Sequence, residues 1–346
     1  MYSSEIFSST VNTYRAFIKA STLEKIIWPQ PLGCKIHSLF FNIFNMSTIV
    51  VSIVDSLKHC LSDFEYASGK TAFSSWASLA ICISGYIVTF YLLSNHFGVL
   101  SKHCTDASLL KKANAQRAFY RPLLLFHNCF LSLASLVMLV GMLYTYFKQF
   151  QEDAYYGQSI FSPSYALKRI VCDSDGKLFD KLQVWLYLFY LSKFYEFLDT
   201  VFLCLTMRKV IPLHWIHHIL TCYVSWIGME AKHTVMGVAF VMNAAIHVIM
   251  YTYYAYKLVH PEYSPWWKEH LTKTQMIQFI INILVLAIWT WMEKGLGMQC
   301  HGEMWVIYSV LAIMIIFLLL FQGFRVKSYG RKNTTRKPEY NAKKKV

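Results

Sequence analysis

The sequence predicts an all-α membrane protein, and three observations carry that prediction. Of its 346 residues 55% are hydrophobic, while Asp, Glu, Lys and Arg make up only 15%, against roughly 25% in an ordinary soluble domain. Seven segments are apolar enough to cross a bilayer core of roughly 30 Å, which takes about 17–25 helical residues. Aromatic residues reach 17%, as suits a chain with many membrane interfaces. This composition excludes a disordered chain, a coiled coil and a small disulfide scaffold, and argues against a water-soluble enzyme. A net charge of +14 would suit nucleic acid only in a soluble basic domain. None remains outside the apolar segments, so no nucleic-acid partner is expected.

In chain order the expected spans are 74–93, 122–146, 184–206, 213–229, 234–256, 276–292 and 304–322. Residues 39–54 are apolar but short, and they carry Asn42, Asn45, Ser47 and Ser52. They read as an extra N-terminal interfacial helix rather than a span; glycosylation at the sequon Asn45-Met46-Ser47 would exclude a span. Residues 1–38 lack the basic start, apolar run and cleavage pattern of a secretory signal. The chain therefore divides into an N-terminal extension (1–73, with the apolar segment 39–54), a seven-helix domain (74–324) and a basic tail (325–346).

Charge sets the orientation. The loops after the first, third and fifth spans, with the tail, carry 19 Lys and Arg against seven in the other loops. Basic residues gather on the cytoplasmic side, so the C-terminus is expected in the cytosol and, with seven spans, the N-terminus opposite. Lys343 and Lys344, near the C-terminus, resemble a dilysine endoplasmic reticulum retrieval signal; a lipid-attracted basic tail is the plainer alternative. Nine cysteines include no CxxC pair, so a zinc ribbon is excluded. Most fall in or near spans as packing residues. Cys172 and Cys300 both fall in non-cytosolic loops, where an oxidising compartment would let them form a disulfide.

Ionisable groups at membrane depth are expensive and mark functional sites by default. The third span carries Lys193, Glu196 and Thr200 at i, i+3, i+7, with Asp199 bordering that stripe; a purely structural Lys193–Glu196 ion pair is the alternative. The fourth opens on Pro212, which suits a first helical turn, and places His214, His217 and His218 on one face. The fifth carries Asn243 and His247 at i, i+4, followed by Tyr251, Tyr253 and Tyr254, for which an interface belt is the bland reading. The sixth carries Thr272, Gln275, Gln278 and Asn282, and the second His127 and Asn128; one amide often only bridges helices. Counted inward from the cytosolic ends at 1.5 Å per residue, these groups lie about 3 Å (Gln278) to about 14 Å (His247) deep. The spans alternate in direction, so nothing forces that agreement. It predicts one cytosol-facing pocket with a polar wall and an apolar extension toward the far side. A fatty acyl-CoA fits such a pocket. Arg121, Arg208, Lys209, Lys257 and Arg325 would meet its phosphates, and an imidazole would accept its acyl group.

These motifs, Lys193-x-x-Glu196-x-x-Asp199-Thr200, His214-x-x-His217-His218, His247-Val-Ile-Met250-Tyr251-x-Tyr253-Tyr254 and Leu271-Thr272-x-x-Gln275-x-x-Gln278-Phe279, resemble in order the signature of the ELO family, the very-long-chain fatty acid elongases. His127-Asn128 resembles the family's second-span motif, and the likeness covers about 74–324. It implies a seven-helix endoplasmic reticulum enzyme, six helices forming a barrel around an acyl-CoA tunnel. The implied activity is that of a 3-oxoacyl-CoA synthase, an acyltransferase condensing acyl-CoA with malonyl-CoA and releasing CO2 and CoA. It implies His217 as the acyl-accepting nucleophile and His247 as a second catalytic histidine, with His214 and His218 beside them. Lys193, Glu196, Asp199, Thr200, Asn128, Asn243, Tyr251, Tyr254, Gln275 and Gln278 would form the substrate-binding wall. No metal and no cofactor beyond the substrates acyl-CoA and malonyl-CoA are expected. The partners implied are membrane lipid, a homodimer mate, and the 3-oxoacyl-CoA reductase, dehydratase and enoyl reductase of an elongation cycle. The box and Asn243-x-x-x-His247 resemble the subgroup acting on saturated and monounsaturated chains, although Ile216 departs from the aromatic residue frequent there. Two rivals remain. A di-iron desaturase also uses His-x-x-His-His but wants more histidine clusters than one, and a seven-helix receptor or transporter would lack the motif order.

Overall fold

The computed structural model describes residues 64–97, 107–263 and 265–329. The apolar segment 39–54, the sequon at Asn45 and the lysines at 343–345 lie outside them. Among the described residues eight α-helices occur: α1 (Trp76–His96), α2 (Ala107–Tyr155), the short α3 (Pro163–Leu167), α4 (Lys177–Leu205), α5 (Pro212–Glu230), α6 (Val235–Val259), α7 (Lys268–Thr290) and α8 (Met304–Tyr329). Single π-helical turns follow α3 (Lys168–Cys172) and α7 (Trp291–Gly295), and no strand occurs among the described residues. A helix answers each expected span. Five of them, α1, α2, α6, α7 and α8, are long and apolar enough to cross a membrane. The others, α4 and α5, carry the charged stripe and the histidines, which lower their hydropathy.

Local chemistry sets the helix starts. Ser75 caps α1, its Oγ accepting from Ser78 N–H at 3.1 Å. Pro212 occupies the first turn of α5, as expected. The first turn of α4 is capped from a distance, Asp173 accepting from the N–H groups of Leu178 (3.1 Å) and Phe179 (2.9 Å). Helix α2 departs from expectation. It begins at Ala107 rather than near 122 and keeps Pro122 inside. An apolar window ends at the charges of Lys111, Lys112, Arg117 and Arg121, but the helix does not, because those residues favour helix.

Six helices close a ring: α2 packs on α4, α4 on α5, α5 on α8, α8 on α7, α7 on α6, and α6 back on α2. Helix α1 stands outside it, against α4 and α5. Close approach of α2 and α4 depends on Gly141, where a Cβ would lie 2.4 Å from the Trp185 ring. The outward faces are apolar and exposed, with Phe126, Phe130, Leu133 and Val137 on α2 and Ile315 and Leu319 on α8. This is the surface lipid would cover.

Residues 64–73, ahead of α1, belong to the same compact unit as the helices. Tyr66 N–H donates to Gln183 Oε1 (2.9 Å). The Tyr187 and Tyr190 hydroxyls donate to the carbonyls of Ala72 and Phe73, both at 2.8 Å. This segment is too polar to read as span, and its tertiary hydrogen bonds, with the packing of Phe64 on Tyr187 and Phe73 on Phe194, join it to the bundle.

Opposite the cavity, Cys172 and Cys300 are joined by a disulfide. Arg169 beside it donates to Asp153 (2.9 Å), Asp173 (3.0 Å) and Asp175 (2.5 Å). Burial opposes ionisation of Asp175, but hydrogen bonds from Arg169 and Lys177 outweigh it and hold that carboxyl at about 2. His233, 0% exposed, has both ring nitrogens unpartnered among the described residues. Burial first, then the nearby His301, lowers its pKa to about 3.

Candidate active site

A cavity of about 480 Å3 opens between the ring helices, within the range of small-molecule sites. Helix α5 contributes His214, His217 and His218, α4 Glu196 and Asp199, α6 Asn243, His247, Tyr251 and Tyr254, α7 Gln275 and Gln278, and α2 Asn128. The wall drawn from five helices in the sequence is thus one wall.

Two carboxylates organise it. Glu196, 2% exposed, accepts from Lys193 Nζ at 2.8 Å and from Ser192 Oγ at 3.1 Å, and its Oε1 lies 3.7 Å from His247 Nδ1. Lys193, also 2% exposed, donates to Asn243 Oδ1 at 3.4 Å and sits 4.0 Å from the centroid of the Phe189 ring. Asp199 accepts from His127 Nε2 on α2 and from the Tyr251 hydroxyl on α6, both at 2.8 Å, and its Oδ2 lies 4.0 Å from His218 Nε2. Asp199 therefore fixes three helices of the ring at one level and leaves its charge beside the imidazoles.

The histidines differ in their surroundings. His214 Nε2 lies 3.0 Å from Thr200 Oγ1, and the His214 and His218 rings meet edge to face at 4.5 Å. His217 packs against Phe317 of α8 at 4.8 Å; its Nδ1 is enclosed without a partner, and its ring makes no hydrogen bond among the described residues. An imidazole lining a cavity with no protein partner is free to meet a substrate carbonyl.

Two expected wall residues are not on the cavity surface. Lys193 and Thr200 stand behind it, the first neutralising Glu196, the second holding His214. A buried ammonium without its carboxylate would be untenable, so Lys193 faces the pair rather than the void. At the mouth Arg208, Lys209 and Lys257 line the cavity, joined by Lys268, which the sequence reading passed over; Arg121 and Arg325 do not. Arg121 instead donates to the Val259 carbonyl at 3.4 Å. The apolar extension is not part of this cavity, whose lining on α6 ends at Asn243. One turn deeper Phe189 and Phe240 stack across α4 and α6 at 4.1 Å. Tyr86, whose hydroxyl lies 2.8 Å from Thr200 Oγ1, stayed hidden in the sequence, where nothing distinguishes it from any aromatic residue in an apolar span. His127, noted in the sequence beside Asn128, binds Asp199, a partner that helical spacing does not show.

The profile of the GNS1/SUR4 family, ELO, matches residues 71–337. Among relatives, Fatty acid elongase A of Dictyostelium discoideum is 29% identical over 279 residues, covering 79% of this chain and 91% of the relative. Putative fatty acid elongase 1 of Schizosaccharomyces pombe is 28% identical over 80% of this chain and 77% of its own. Very long chain fatty acid elongase 6 of Homo sapiens is 31% identical over 50% of this chain and 65% of its own. A match over most of the sequence, together with the motifs meeting in one cavity, shows that this all-helical membrane protein belongs to the ELO family.

Proposed function

We propose that the protein condenses long-chain acyl-CoA with malonyl-CoA, giving 3-oxoacyl-CoA, CO2 and CoA. One observation carries the reading: the His217 imidazole, without a partner among the described residues, lines a cavity whose inner wall is acidic and imidazole-rich and whose mouth is basic. The basic mouth suits the phosphates of a CoA head, and the relatives, named as fatty acid elongases, supply the fatty acyl class.

His217 attacks the acyl thioester carbonyl through the ring nitrogen lacking a proton. The carbon–sulfur bond breaks, and the CoA thiolate leaves and takes a proton from water. The ring keeps the hydrogen on its other nitrogen, so the intermediate is an acyl-imidazole in its cationic, imidazolium form, a reactive acyl donor. Malonyl-CoA then enters, and loss of CO2 leaves its thioester enolate. The enolate carbon attacks the acyl-imidazole, forming the new carbon–carbon bond and returning the electron pair to the His217 ring. Hydrogen-bond donors around the carbonyl stabilise the oxyanion of each addition in a site of low dielectric. Glu196 beside His247 and Asp199 beside His218 orient these rings and favour transient positive charge. We place the enzyme in the endoplasmic reticulum membrane with a cytosolic C-terminus, acting on saturated and monounsaturated chains. Its product, a 3-oxoacyl thioester, requires a reductase, a dehydratase and an enoyl reductase downstream.

The test uses microsomes containing the chain, labelled malonyl-CoA and a panel of acyl-CoAs. Product from the wild type and none from His217→Ala at equal expression is expected. Full activity in His217→Ala would overturn the covalent route, and no product with any acyl-CoA would overturn the condensation.

A further inference from the structure

Helix α1 stands outside the ring, yet one of its side chains reaches the wall of the site. Tyr86 is buried and stacks on Phe197 of α4, ring centroids 4.2 Å apart. Its hydroxyl lies 2.8 Å from Thr200 Oγ1, which lies 3.0 Å from His214 Nε2. Thr200 is 1% exposed, so bulk water does not compete for it.

The direction of this chain follows from its protons. Tyr and Thr hydroxyls hold one hydrogen each. Thr145, Thr206 and Thr221 donate theirs to the carbonyl one turn earlier; Thr200 makes no such bond among the described residues, and its hydrogen goes to a side chain. Were that side chain Tyr86, the phenolic O–H would be left buried with no acceptor, a costly arrangement. Tyr86 therefore donates to Thr200, and Thr200 donates to His214 Nε2. A neutral imidazole accepting at Nε2 carries its proton on Nδ1. His214 lines the cavity, and the one hydrogen bond its ring makes among the described residues is the contact with Thr200.

We propose that Tyr86 is a positioning residue that acts through Thr200 to hold His214 as the Nδ1–H tautomer, making His214 a hydrogen-bond donor to the oxyanion of acyl transfer. The inference rests on the acyl-transfer reading for the donor's use, but not for the tautomer. It gives the outlying helix a part in the chemistry: an oxyanion donor serves only if its proton already sits on the correct nitrogen.

Two measurements test it. In the malonyl-CoA assay, Tyr86→Phe and Thr200→Val should each lower kcat about tenfold, the worth of one hydrogen bond, with KM for acyl-CoA unchanged. The double variant should be no worse than Thr200→Val, and Thr200→Ser should restore the rate. Wild-type kcat in both single variants, additive losses, or a change confined to KM would overturn the proposal. The second measurement needs no turnover. Nitrogen-15 spectra of histidine-labelled protein, with His214 assigned through His214→Gln, should show a proton on Nδ1 and none on Nε2. The opposite pattern would overturn the proposal even in an active enzyme. A wild type that makes no product, with the expected tautomer, would remove the acyl-transfer reading and leave the tautomer standing.

Discussion

Replacing Lys193 by Met removes the counter-ion of a carboxylate that is 2% exposed. The lost contacts are specific. Lys193 Nζ gives Glu196 a 2.8 Å charged hydrogen bond, worth about 1.5–3 kcal/mol. Its place 4.0 Å from the Phe189 ring adds about 1–2 kcal/mol for a desolvated cation. What remains to Glu196 is Ser192 Oγ at 3.1 Å, a neutral donor. Breaking a buried pair from one side costs about 3–5 kcal/mol, because the other charge stays buried. At about 2–4 °C per kcal/mol for a domain of 150–250 residues, the detergent-solubilised protein should melt about 6–20 °C lower. Removing both charges, Lys193→Met with Glu196→Leu, should recover most of that loss, since a well-packed apolar replacement of an ion pair is often neutral. Ser192 would keep its bond to the Phe189 carbonyl at 2.7 Å. The double variant should nonetheless make no product, because Glu196 lines the cavity. The assay is thermal unfolding followed by size-exclusion chromatography, beside malonyl-CoA incorporation. An unchanged melting point in the single variant, or a double variant as unstable as the single, would refute the reasoning.

Asp199→Asn offers one acceptor where two donors now converge, so either His127 or Tyr251 loses its partner; kcat should fall about tenfold or more, and malonyl-CoA turnover measures it. Cys172→Ser should shift mobility on a non-reducing gel and lower stability by about 2–5 kcal/mol, read as a lower melting point under oxidising conditions alone. His233 is folded neutral with its pKa at about 3, whereas the unfolded chain binds that proton below about 6.5. Between those values the unfolded state holds more protons, so stability is full above about pH 6.5 and falls as pH falls, by about 1.4 kcal/mol per unit. Melting points from pH 7 to 5 should decline less steeply in His233→Leu than in the wild type; equal slopes would contradict this. Gly141→Ala should separate α2 from α4 at Trp185 and cost about 1–3 kcal/mol, checked by the same melts.

The sequence by itself determined the class, the helices and the polar wall. Apolar length reports which segments cross lipid, and the price of a charge at membrane depth makes Glu196, Asp199 and His217 conspicuous in their helices. Helical spacing then puts His214, His217 and His218 on one face whatever surrounds them. Such reasoning is local, since each residue is judged against its own turn of helix. It missed what depends on a neighbour from elsewhere in the chain. Helix α2 continues past the window in which it is apolar. Residues 64–73 join the bundle through hydrogen bonds to distant helices. Lys193 and Thr200 share a stripe with Glu196 yet stand behind the wall, because their partners lie there. Phe189 stacks on Phe240 one turn deeper than Asn243, the deepest α6 residue of the cavity wall, where an apolar extension was expected. Only the tertiary structure brought Tyr86 from the outlying helix to Thr200, and Thr200 to His214. A hydrogen bond between residues 114 positions apart leaves no trace in either residue's own surroundings in the chain, since packing and not periodicity selects the pair.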